Sequence, residues 1–219
     1  MLRVNLKKII LFIVVLLYGV IFSTILNASI TTNSGVSQQW AVLDGFRSAK
    51  FGFSERSVYN AIKKDFKVNE INVSRVVHPT QKTLTLGIDV KGLISGSGPS
   101  KIFYVFGYKS KKLIHISVVW GSRVEDQPNA EAIISTSNQL RIYLSQKKYQ
   151  KNGIVFNRQL ADGTILVFQG KDKKGRLARL VLNKPIDRDA KVGTNIDLTL
   201  SYIENPGNLD IFEIKDGDF

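Results

Sequence analysis

Residues Ile102–Trp120 read IFYVFGYKSKKLIHISVVW, and the rest of the chain is best taken outward from them. An aromatic and β-branched run leads into a short basic turn, Lys109-Ser110-Lys111-Lys112, and then into a second apolar run. In the second run Ile114, Ile116, Val118 and Trp120 fall on one face, and Leu113, His115, Ser117 and Val119 on the other. Period two with these residue types predicts a β-hairpin. A similar stretch, Leu166–Leu182, reads LVFQGKDKKGRLARLVL. Tyr104-Val105-Phe106 aligns with Leu166-Val167-Phe168, and the Lys109 turn aligns with Lys171-Asp172-Lys173-Lys174. With two residues inserted in the second turn, Ile116 and Val118 match Leu180 and Leu182. This match predicts that the core unit occurs twice.

The flanking sequence supports the same organisation. Phe51–Phe66, FGFSERSVYNAIKKDF, carries a helix signal: Ser54 as N-cap, Glu55 in the first turn, Lys63 and Lys64 in the last. Val58, Ala61, Ile62 and Phe66 make its apolar stripe. Gln38–Ala49 reads as an earlier helix with Trp40, Val42, Leu43 and Phe46 as its apolar members, weakened by Gly45. Ile71–Val77 and Thr83–Val90 alternate as strands around a His78-Pro79-Thr80-Gln81 turn, and Ser95–Ser100 is a loop. A second helix is expected over Asn129–Tyr149, with Pro128 near its first turn and Ala132, Ile133, Leu140, Tyr143 and Leu144 on its apolar face. Strands follow at Ile154–Gln159, Thr164–Gln169, Arg176–Leu182 and Ile196–Ile203, with a tight turn at Ala161-Asp162-Gly163. The fold class expected is α+β, with two tandem helix-plus-four-stranded antiparallel units after an N-terminal hydrophobic helix. The divisions are residues 1–28 as signal peptide or membrane anchor, 29–37 as linker, 38–125 and 126–203 as the two units, and 204–219 as an acidic tail.

The chain has 219 residues, 43% of them hydrophobic, which is a globular composition with a core of normal size. It has no cysteine, so disulfides, thiolate metal sites and a cysteine nucleophile are excluded. The net charge is +13. Glu204–Phe219 carries five carboxylates against the single Lys215, so the positive charge is concentrated in the body ahead of it. Charge of this size favours acidic partners such as anionic lipid, anionic polysaccharide, nucleic acid or acidic protein. Arg3, Lys7 and Lys8 precede an uncharged apolar run, Ile9–Leu26. Its 18 residues suit a long signal-peptide core or a short membrane span, and Ala28 is a small residue suited to cleavage. The basic residues on its N-terminal side predict that the remainder is exported.

Aromatic-Gly-aromatic-Ser-Glu-x-x-Val, at Phe51–Val58, resembles the Gly-hydrophobic-Ser/Thr-x-x-x-Val helix start of small exported αβ modules. These include outer-membrane lipoproteins of the SmpA/OmlA type and the tandem modules of β-lactamase inhibitory protein. The pattern also resembles uncharacterised exported proteobacterial proteins, and the likeness covers Phe46–Ile62. It implies a small exported αβ module. The chain departs from the lipoproteins in having no lipid-carrying cysteine.

No reaction chemistry emerges from the motifs. The two histidines, His78 and His115, lack partners at metal-ligand spacing. Gly170–Gly175, GKDKKG, has phosphate-loop glycine spacing, but Arg176-Leu177 stand where Lys-Ser/Thr would, and a strand follows in place of a helix. Gly96-Ser97-Gly98 is too short for a nucleophile elbow. Asp187 and Asp189 flank Arg188 in a loop. Phe103, Tyr104, Phe106 and Tyr108 alternate as a packed strand does, so a nucleic-acid partner is not expected. We expect no metal, no cofactor and no enzymatic activity. The expected function is that of an exported envelope protein, on the periplasmic side of the cytoplasmic membrane, serving as a binding or adaptor module for an envelope protein. Residues 9–26 would attach it to the membrane. The rival expectation is binding to an acidic polymer or lipid surface through Lys109, Lys111, Lys112, Lys171, Lys173 and Lys174.

Overall fold

The computed structural model describes residues 38–183 and 195–214. The signal or anchor (1–28), the linker (29–37) and the Asp187–Asp189 loop therefore lie outside the described residues. Gly45–Phe46 (β1) and Ala49–Lys50 (β2) pair as a small hairpin, which replaces the helix expected over Gln38–Ala49. The reason is partly local. Gly45 has φ +151, and a Cβ there would lie 2.0 Å from the Ala49 carbonyl oxygen, so the hairpin needs glycine at this position.

The helix α1, Glu55–Phe66, starts where Ser54 accepts a hydrogen bond from the Ser57 N–H and buries Val58, Ala61 and Ile62. Four strands follow: β3 (Ser74–Val77), β4 (Leu84–Lys91), β5 (Pro99–Phe106) and β6 (Leu113–Gly121). The helix α2 spans Ala130–Ser145, capped by Asn129 accepting from the Ala132 N–H, and ends four residues before the expected Tyr149. Then come β7 (Val155–Gln159), β8 (Ile165–Lys171), β9 (Leu177–Asn183) and β10 (Asp197–Ile203).

These strands do not form two tandem units. They make one antiparallel eight-stranded sheet in the order β3-β4-β5-β6-β10-β9-β8-β7, and the described fold is β-rich with two α-helices. The expectation of two helix-plus-sheet units is corrected by the β6–β10 pairing, which runs from Asp197↔Gly121 to Ile203↔His115. Its cause is the apolar core side of both strands. Trp120 faces Leu198, Val118 faces Leu200 and Ile116 faces Tyr202, all six buried. Two separate sheets would expose both strands as hydrophobic edges. The apparent repeat is also not one of position. The Lys109 turn joins β5 to β6, whereas the Lys171 turn joins β8 to β9.

Residues opposed across the ladder share a face, so register defines the core side: Leu86, Tyr104, Ile116, Tyr202 and Ala178 form one continuous row. Both helices pack on this side in the same hydrophobic cluster. Phe106 and Phe168 are fully buried there, each contributing about 1.5–3 kcal/mol of transfer free energy. A register shift at Val105/Phe106 brings Leu113 into the core and leaves Ile114 half-buried, which reverses the facing expected for these two residues.

Candidate functional site

Strand directions place both lysine turns at one end of the sheet. Phe106↔Leu113 closes β5–β6, Lys171↔Leu177 closes β8–β9, and Ile203, which pairs with both His115 and Leu177, ends β10 between them. Three inter-strand spacings separate the centres of the two turns, about 14 Å. The structure thus brings Lys109, Lys111 and Lys112 to the same rim as Lys171, Lys173 and Lys174.

Each turn is fastened by an aspartate: Asp172 opens its own turn, Asp172-Lys173-Lys174-Gly175, whereas Asp210 is distant in sequence from the turn it holds. Asp210 of the acidic tail accepts the Lys109 N–H (2.8 Å) and the Ser110 N–H (2.8 Å), and its own carbonyl accepts the Tyr108 N–H (2.8 Å). Burial pushes the Asp210 carboxyl up, but the hydrogen bonds from Ser110 and Lys109 outweigh it and hold it below the ordinary aspartate value. Phe212 packs edge-on against Tyr108 at 5.4 Å, so the tail lies folded against the first turn. In the second turn Asp172, 1% exposed, accepts the N–H groups of Leu43 (3.1 Å), Lys174 (2.9 Å) and Arg176 (3.0 Å), and the Arg176 guanidinium at 2.8 Å.

The chain enters the fold at this same rim. Trp40 bridges Lys148, with Ala41 N–H donating to the Lys148 carbonyl and Lys148 N–H to the Gln39 carbonyl, both 2.9 Å. Two ammonium groups lie close to the indole ring centre, Lys148 at 4.9 Å and Lys173 at 4.8 Å. Lys111 lies over Tyr108 at 4.9 Å. Sequence reasoning missed the Trp40–Lys148 pairing because the partners are far apart in the chain.

The second feature is the face of the sheet opposite the helices. Register assigns to it the row Asp89, Lys101, Val119, Thr199, Val181, Leu166 and Arg158. The neighbouring row holds Gly87, Phe103, Ser117, Ser201, Arg179 and Gln169. Among the described residues no helix covers this face. Its inner strands mix apolar and hydroxyl side chains with Lys101 and Arg179, Val119 and Leu166 on it are buried, and Arg158 lies on the edge strand β7. Lys101 meets Asp89 at 3.5 Å and Arg123 meets Asp197 at 3.4 Å, with the Arg123 guanidinium also donating to Thr199 (2.7 Å).

His115 sits on this face. Its Nε2 is 2.9 Å from the Ser117 hydroxyl, which is 3.0 Å from the Ser201 hydroxyl. Burial, with Arg179 adding to it, pushes the imidazole down to about 4, so it is neutral at pH 7. The hydrogen bonds of this ring among the described residues include no carboxylate to orient it as a base, and the row reads as satisfied packing. His78 accepts the Gln81 N–H within its turn. No group of three His, Cys, Asp or Glu among the described residues is placed to hold a metal. None of the described helices is long and apolar enough to cross a membrane; Ile9–Leu26 lies outside them. No known family model, curated protein or solved structure matches this chain.

Proposed function

We propose that the chain is an exported, non-enzymatic protein of the bacterial envelope, tethered at or released from the outer side of the cytoplasmic membrane, that docks another envelope protein. The helix-free face carries this reading. A sheet that buries one face under both helices leaves the other free of helix, and here that face combines half-buried Phe103, Val105 and Val181 with Lys101, Arg158 and Arg179. Such a mix of apolar and cationic side chains suits a partner with an acidic surface. Arg3, Lys7 and Lys8 ahead of Ile9–Leu26 support export. In-cell photo-crosslinking from a photoreactive residue at Phe103 or Val181 is expected to yield a discrete adduct. The same residue at Lys64, on the exposed side of α1, is expected to yield none. Equal adducts from both places, or none from the face, refute docking. A reporter active only in the periplasm, fused after Phe219, is expected to be active; a stable but inactive fusion refutes export.

A second reading, binding to an anionic surface, is favoured by the gathering of the lysine turns at one rim, together with Trp40, Lys148 and Lys173 where the chain enters the fold. Near an anionic bilayer each lysine contributes about 1 kcal/mol, screened by salt. Changing Lys109, Lys111, Lys112, Lys171, Lys173 and Lys174 to Gln is expected to abolish salt-sensitive binding to anionic vesicles. Wild-type protein that shows no such binding at low salt removes this reading.

A further inference from the structure

The turn between β5 and β6 closes on itself and still has donors to spare. The Gly107 N–H donates to the Lys112 carbonyl (2.8 Å), the Lys111 N–H to the Gly107 carbonyl (3.1 Å) and the Lys112 N–H to the Ser110 hydroxyl (3.2 Å). The N–H groups of Tyr108, Lys109 and Ser110 take no part in that closure. Successive amides in a turn form a concavity for an anion, here with Lys109, Lys111 and Lys112 around it. In the β8–β9 turn the acceptor is Asp172, a residue of the turn itself. Gly107-Tyr108-Lys109-Ser110-Lys111-Lys112 contains no carboxylate, so its acceptor has to come from outside the turn. Asp210 supplies it, its carboxylate taking the Lys109 and Ser110 amides. Gly107 leaves the room, since a Cβ there would run into that carboxylate.

What fills the turn is a peptide and not a lone anion. The Tyr108 N–H donates to the Asp210 carbonyl, and the Phe212 N–H to the Gln81 carbonyl in the β3–β4 turn (2.9 Å). The Phe212 ring stands edge-on to Tyr108. A lipid phosphate could replace only the carboxylate among these contacts. The hold is also shallow. Leu209, Phe212 and Ile214 stay exposed, and a space of about 370 Å³ between tail and turn is bordered by Ser110, Ile114, Glu204 and Leu209. The tail leaves β10 through a turn at Asn205-Pro206-Gly207-Asn208. A segment held this way opens more readily than the packed strands do. We propose that the β5–β6 turn is a receptor for a short acidic segment with an aspartate two residues ahead of an aromatic, that the chain's own tail fills it in cis, and that such a segment on a partner protein displaces the tail. The three lysines of the turn complement that segment's charge. The site is at the end of the sheet, apart from the helix-free face, and depends on neither reading above.

The test uses the full chain and a fluorescent peptide with the sequence of Asn208–Ile214, NLDIFEI. Asp210→Ala with Phe212→Ala empties the site without shortening the chain. This double variant is expected to bind the peptide saturably in anisotropy titrations, and the wild type at least tenfold more weakly, because its tail competes. A peptide carrying Asp210→Asn or Phe212→Ala is expected to bind the double variant at least tenfold more weakly, and the unaltered peptide to slow amide exchange at Lys109 and Ser110. Adding Gly107→Ala to the double variant is expected to abolish binding. The Gly107 backbone is not left-handed, and the Ser110 hydroxyl that the added methyl approaches is on a side chain that can rotate. Because that variant can still disturb the turn, the altered peptides, which leave the protein untouched, provide the independent check. No saturable binding by the double variant, equal binding of the Asp210→Asn peptide, or equal binding by wild type and double variant overturns the proposal. Phosphatidylglycerol vesicles that displace the peptide as well as unlabelled peptide does would assign the turn to an anionic surface and overturn it too.

Discussion

Replacing Asp172 by alanine tests the joint that ties the entering chain to the β8–β9 turn. In the native fold this carboxylate serves three backbone N–H groups and one guanidinium, with the side chain 2% exposed and that of Arg176 14% exposed. Asp172→Ala leaves a largely buried cation and the Leu43, Lys174 and Arg176 amides without their acceptor. Breaking a buried pair from one side costs about 3–5 kcal/mol, because the remaining charge is uncompensated. With a urea slope of about 2 kcal/mol per molar, the midpoint should fall by roughly 1.5–2.5 M. Amide exchange gives the local readout: the Leu43 N–H, protected in the wild type, should exchange much faster. Adding Arg176→Leu removes the orphaned charge, so the double variant should recover about 1–3 kcal/mol relative to additivity. A loss below about 1 kcal/mol, or strict additivity, would show that water serves these groups and that the carboxylate holds nothing together.

Three further outcomes are expected. Trp120→Ala, at a side chain 1% exposed, should cost about 3–5 kcal/mol by denaturant titration; a loss under about 1 kcal/mol would mean that the face assignment of β6 is wrong. His115 is neutral in the fold down to about 4 but titrates near 6.5 when unfolded, so between those values the unfolded chain binds more protons and stability falls with falling pH. That group contributes about 3 kcal/mol across the window, and His115→Gln should lose that part of the pH dependence; an unchanged slope would contradict the burial. Asp210→Ala should release the tail, seen as faster exchange at the Tyr108 and Phe212 amides. In the wild type the same release should appear only as pH drops through the depressed Asp210 value, since a lowered carboxyl stabilises above it.

Where the physics is local, the sequence was a good guide. Ser54 caps the first helix because a side-chain oxygen three residues ahead of an unsatisfied N–H is visible in a short window; Asn129, expected as the first residue of the second helix, is its cap. The central hairpin and most of the strands follow from alternation. Alternation says which residues share a face but not which strand lies alongside, so the β6–β10 seam, between segments about 80 residues apart, was beyond it. The same limit explains Gln38–Ala49. Trp40, Val42, Leu43 and Phe46 suit a helix stripe, yet the Leu43 N–H is taken by Asp172, 129 residues away, and Gly45 turns the chain. The lysines were legible as charge. Their meeting at one rim depends on the order of strands in the sheet, and the Asp210 contact on a tail residue about 100 positions away.

The seam also bears on where a partner can bind. A sheet offers a protein partner either an edge or a face. With β6 and β10 joined, the edges of the sheet among the described residues are β3 and β7, and both are poor templates. β3 is four residues long and soon meets Pro79. β7 is broken at Asn157, whose φ of 46 interrupts the pairing between Phe156↔Phe168 and Arg158↔Leu166. Short, interrupted and arginine-bearing edges resist strand addition. A partner would then have to read side chains across the strands. The helix-free face offers a set of them, including Lys101, Phe103, Thr199 and Val181, that neither four-stranded half supplies alone. If docking occurs, it should be lost when the seam is cut, even where each half retains its own hairpins.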